Sequence, residues 1–181
     1  MPNQVALINQ TKKWLSSVII AQGLCPFARR EFDGETIHYE VIETAETSAQ
    51  LECVLAQCEA LDADKSRETS LLIFPNGLDD FEDYLDLLEI ANALLAAEGY
   101  EGIYQLASFH PDYRFEGAPE DDACHYTNRS PYPMLHILRE VSVEQAIKTH
   151  PNPEKIPERN ITLTRELGLK AMQDLLAACY K

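Results

Sequence analysis

A single α/β domain, with about four strands in a mostly parallel or mixed sheet flanked by helices, is predicted by three observations. The first is length: 181 residues suit one domain and are short for two. The second is alternation along the chain, where helical apolar periodicity gives way repeatedly to short apolar runs. The third is the type of those runs. Ser70–Phe74 is continuously apolar after its first residue and ends at Pro75-Asn76-Gly77, as a strand buried on both faces would.

Taken in order, residues 4–22 read as an amphipathic helix, with Val5, Ile8, Leu15, Val18 and Ile19 at three- and four-residue spacing and Gly23 as the stop. Thr36–Ile42 reads as a strand. Thr47 with Gln50 forms a capping-box pattern for a helix whose inner face is Leu51, Val54, Leu55, Cys58 and Leu61. After the Ser70–Phe74 strand, Asp79 opens a helix that Gly99 closes. Ile103–Phe109 is a third strand. Residues 110–132 have no period and are rich in Pro, Asp and Asn, so they read as one long loop. Met134–Arg139 is a fourth strand. Ser142 with Gln145 caps a short helix to about Lys148, and a last helix runs from about Thr164 to Cys179. Two successive β-α-β crossovers favour a largely parallel, right-handed core. A ferredoxin-like α+β arrangement is the competing topology.

Composition narrows the function classes. The apolar fraction is 45% and the charged fraction 25%, so a core of normal size needs no disulfide or metal staple. The first twenty residues carry Gln4, Asn9, Gln10, Lys12 and Lys13 and do not resemble a signal peptide, and no apolar run is long enough to cross a bilayer. Five cysteines without a CxxC pair or a framework spacing point to reduced thiols and a cytoplasmic location. The net charge is −15, and residues 31–101 hold 19 acids against only Lys65 and Arg67. Nucleic acid and anionic membrane surfaces are therefore not expected partners. An anionic ligand would favour the 102–181 half. There is no GxGxxG, Walker or GxSxG pattern among the seven glycines, and no HExxH. The sequence points to no cofactor, and oligomeric state is not legible in it.

In open α/β sheets, ligands bind beyond the carboxyl ends of strands. The third strand ends at His110 and runs into the long loop. If the fourth strand lies antiparallel to the third, its start returns to the same edge, and Asn128-Arg129-Ser130 meets His110 and Asp112. In that region His110 is a candidate general base with Asp112 as its orienting partner. Arg129, with Asn128 and Ser130 as neutral donors, is the candidate anion-binding group, since guanidinium matches carboxylate and phosphate. Arg114 is a further anion contact, or a salt bridge to Asp112 or Glu116. Structural roles compete with each: His110 as a loop brace, Arg129 as a tie to backbone carbonyls or to an acid such as Asp122. His136, between Met134 and Leu138, reads as a core histidine, and Cys25 as a small buried residue. Convergence of His110, Asp112, His125 and His136 on a metal has no supporting spacing.

The segment Phe109-His110-Pro111-Asp112-Tyr113-Arg114-Phe115, then Asp122, then Thr127 through Glu140, with Gly23-Leu24-Cys25-Pro26-Phe27-Ala28 upstream, resembles a bacterial family catalogued as domain of unknown function 1415. The resemblance covers nearly the whole chain and implies no activity, cofactor or catalytic residue. The leading expectation is a small-molecule enzyme using acid/base chemistry on an anionic substrate. The alternatives are a non-catalytic binding or interaction module and a metal-dependent hydrolase.

Overall fold

The computed structural model describes residues 3–181. The chain opens with α1 (Gln4–Trp14), continues into a π-helical stretch (Leu15–Ile20), and adds a short α2 (Ala28–Asp33). Then come β1 (Ile37–Val41), α3 (Thr47–Ala63), β2 (Thr69–Ile73), α4 (Phe81–Ala97) and β3 (Tyr104–Phe109). A 3₁₀ turn (Ala123–Thr127) interrupts the connection to β4 (Met134–Arg139), after which follow α5 (Glu140–Thr149), a 3₁₀ turn (Pro153–Lys155), α6 (Ile156–Leu167) and α7 (Leu169–Ala178).

The four strands form one mixed sheet in the order β1-β2-β4-β3. β1 and β2 are parallel, with Ile37 opposite Thr69. β4 lies antiparallel to both neighbours, with Leu72 opposite Leu135 and Leu106 opposite Ile137. The crossovers through α3 and α4 keep β1, β2 and β3 running one way, but β3 lands one place away from β2 and leaves room for β4 between them. A purely parallel sheet is thereby excluded.

Alternation in the strands divides the core in two. Leu72, Leu135, Ile137 and Tyr104 face α3 and α4, where they meet Val54, Cys58, Leu61, Tyr84 and Leu87. Leu71, Ile73, Met134 and Ile37 face the other way, against Trp14, Leu15, Val18, Ile19 and Met172. Each of these larger apolar side chains contributes roughly 1.5–3 kcal/mol when fully removed from water. All five residues of β2 are buried, as expected of a strand covered on both faces.

Several element boundaries differ from the sequence reading. The Thr47–Gln50 capping box does not form: Glu46 occupies the N-cap, the Thr44 hydroxyl receives the Glu46 N–H, and the Gln50 amide donates to the Thr44 carbonyl. The turn before the helix has taken the groups a capping box would use. Asp80, rather than Asp79, caps α4 by accepting from the Glu82 and Asp83 N–H groups. α5 begins directly after β4, so Ser142 lies inside its first turn instead of capping it. The single final helix is two helices. Gly168, at φ +88°, breaks it, and α6 begins eight residues earlier than expected, with Pro157 tolerated in its first turn. α2 was not anticipated. At Gly77 (φ +83°) a side chain would meet Ala45 Cβ at 2.7 Å, so the turn after β2 packs directly on the one after β1.

Candidate functional site

Because β4 is antiparallel to β3, the end of β3 and the approach to β4 share one edge. The His110 N–H donates to the Asn128 carbonyl at 3.2 Å, and the Ser130 N–H donates to the His110 carbonyl at 3.4 Å. These two bonds extend the β3–β4 pairing past the sheet and bring together the segments singled out from the sequence.

His110 is wholly buried, with its ring 5.2 Å from that of Phe81 and 5.1 Å from that of Tyr84. Nε2 lies 2.9 Å from the Leu78 carbonyl, and Nδ1 accepts the Asp112 N–H at 3.0 Å. A carbonyl only accepts, so Nε2 carries the proton and Nδ1 is bare: the ring is the neutral Nε2–H tautomer. Burial lowers its pKa, reinforcing that state, while the Leu78 carbonyl and the Asp112 charge oppose the shift. Asp112 meets the ring through its backbone rather than its carboxylate, and its side chain is exposed.

Asn128 and Ser130 turn inward as well. The Asn128 amide donates to the Ser108 carbonyl at 3.0 Å, and the buried Ser130 hydroxyl donates to the Tyr132 carbonyl at 2.6 Å. Arg114 pairs with neither Asp112 nor Glu116. It reaches across to Glu82 at 3.8 Å and lies over the Phe81 ring, tying the loop to the start of α4.

Arg129 is different. Its backbone is fixed: the N–H donates to the His125 carbonyl, and the carbonyl accepts the Trp14 indole N–H at 3.0 Å. Its Nε donates to the Tyr113 carbonyl and Nη1 to the Tyr126 hydroxyl, both at 3.2 Å, and the guanidinium lies 4.8 Å from the Tyr126 ring centroid. Among the described residues it makes no ion pair, and Nη2 has no hydrogen-bond partner. The side chain lines an open cleft of about 470 Å³ together with Glu120, Asp121, Leu169 and Gln173. His110 is not part of that cleft. Among the described residues, no group of three His, Cys, Asp or Glu side chains is placed to hold a metal ion.

The model of a family described as "Protein of unknown function (DUF1415)" matches residues 6–174. The chain belongs to the DUF1415 family. No curated protein and no solved structure matches it.

Two supports of the DUF1415 loop were missed in the sequence. Asp122 caps the 3₁₀ turn through the Cys124 N–H and is gripped by Arg165 of α6 through Nε and Nη2, the latter at 2.7 Å. Those two contacts hold its carboxyl well below the usual carboxylate range, Arg165 having the larger effect. His125 is the second, and it braces residues 115–125 from within. The Asp122–Cys124 cap is local, but the Arg165 grip and the His125 bonds join groups that only folding brings close, so those two roles carry no local sequence signature. Pro131 and Pro133 are both trans.

Proposed function

We propose that this protein binds a small molecule bearing a carboxylate or phosphate at the Arg129 cleft. The observation that carries the reading is the state of Arg129: it lines the cleft, is anchored at backbone, Nε and Nη1, and among the described residues has no acid partner and no hydrogen-bond partner at Nη2. A guanidinium held in place in this way gives up little freedom when it meets a planar anion. The cleft volume falls within the range of small-ligand sites. Proton transfer by His110 has no role in this reading, because Nε2 is engaged by the Leu78 carbonyl, Nδ1 by the Asp112 N–H, and the buried ring does not line the cleft. The reading is therefore of ligand recognition, with no chemical step assigned.

The test is titration of the purified protein with small carboxylates and inorganic phosphate, followed calorimetrically, for the native chain and for Arg129→Gln. The expected result is binding by the native protein and a loss of roughly tenfold or more in the variant, the scale of one charge-assisted contact. Equal binding by a folded Arg129→Gln protein would remove Arg129 from the site.

A further inference from the structure

The proposed cleft holds more than its arginine. Three consecutive acids, Glu120, Asp121 and Asp122, lead into the 3₁₀ turn, and their fates differ. Asp122 is consumed by Arg165 and the Cys124 N–H. Glu120 and Asp121 line the Arg129 cleft, and neither makes an ion pair or a side-chain hydrogen bond among the described residues. Arg129 does not pair with them either. One cleft is thus lined by a basic residue without an acid partner and two acidic residues without a basic one, all among the described residues, together with Gln173 and Leu169.

A simple anion fits this arrangement poorly. It would gain Arg129 but enter beside two like charges, in a chain whose net charge is −15. A simple cation has the opposite difficulty at Arg129. A molecule carrying both charges meets each group with its complement and is nearly neutral to the long-range field of the protein. We infer that the ligand of this cleft is a small zwitterion of the amino-acid class: its carboxylate engages Arg129, its ammonium engages Glu120 and Asp121, and its side chain lies along Leu169. The inference rests on the anion-site reading of Arg129 and narrows it to one class of ligand.

The experiment is calorimetric titration near neutral pH with the common amino acids, one at a time, each beside its deaminated counterpart. Alanine is paired with propionate, aspartate with succinate, and phenylalanine with 3-phenylpropionate. The proteins are the native chain, Arg129→Gln, and the double variant Glu120→Gln/Asp121→Asn. The expected result is that at least one amino acid binds the native chain about tenfold or more tightly than its deaminated partner. Arg129→Gln should lose both ligands, and the double variant should lose only the preference for the amino form. Native protein that binds the deaminated acid as well as the amino acid, through Arg129, overturns the zwitterion and leaves the anion site standing. Native protein that binds neither set overturns both. A preference that persists in the double variant removes Glu120 and Asp121 from the site and overturns the inference in the form stated.

Discussion

His110 and His125 brace one loop by the same device: each ring faces a carbonyl through Nε2 and receives a backbone N–H at Nδ1. For His110 the partners are Leu78 and Asp112. For His125 they are Pro119 and Phe115, at 2.8 and 3.1 Å. Two imidazole rings thus add to the scattered turn bonds of residues 110–127, so a long connection without strand or α-helix holds a fixed shape.

His110→Ala should therefore cost about 3 kcal/mol of unfolding free energy, from two backbone groups left without partners and a cavity beneath Phe81 and Tyr84. Urea titration checks this: the midpoint should fall at unchanged slope. A change under about 0.5 kcal/mol would mean that the loop keeps its shape without the ring.

Tyr84→Phe isolates a second tie. The buried hydroxyl donates to the Met134 carbonyl at 2.7 Å and accepts the Phe109 N–H at 3.0 Å, joining the end of β3 to the start of β4. Losing it while keeping the ring should cost roughly 1–3 kcal/mol. In hydrogen exchange, the Phe109 amide should lose more protection than amides in β1.

His136 sets an acid-side slope. Burial pushes its pKa down to about 4, and its Nε2 pairs with the Thr69 hydroxyl at 2.9 Å. An unfolded histidine titrates near 6.5, so the unfolded chain takes up the proton first as pH falls. The stability linked to His136 is full above about pH 6.5 and is lost progressively toward pH 4, by at most about 3 kcal/mol. His136→Gln should flatten that part of the stability profile, and an unchanged slope would assign it to other groups.

Arg165→Gln tests the grip on Asp122. The folded carboxyl titrates below its unfolded value, so its contribution is present above about pH 4 and is lost as pH falls through the depressed folded pKa. The variant should be less stable than the native chain at neutral pH, and the difference should shrink at about pH 3 and below. A difference that is constant with pH would point to packing rather than charge.

What could be read in the sequence follows from the range of the interactions involved. Helix and strand identities in α3, β2, α4 and β3 rest on local periodicity and were readable. The meeting of His110 with residues 128–130 was readable only conditionally, because the direction of β4 depends on a slot between β2 and β3 that no local pattern encodes. The roles of Asn128, Ser130 and Arg114 depend on which way each side chain turns. Residue type marked them as donors, but the carbonyls and the acid they satisfy lie on elements placed by folding. Glu120, Asp121 and Gln173 are polar residues of ordinary surface type, and nothing in their spacing reveals that they share a cleft with Arg129.

The place of β4 also shapes how the chain must assemble. Until residues 134–139 are available, β2 and β3 cannot complete their pairing, because the strand that joins them is the last to be made. On the ribosome, a nascent chain ending near Phe109 holds two strands with unsatisfied edges facing a shared gap, one of them the apolar Thr69–Ile73. Sheet closure is therefore a late, non-local event, and the interval before it is when a nascent copy is most open to pairing with a neighbour.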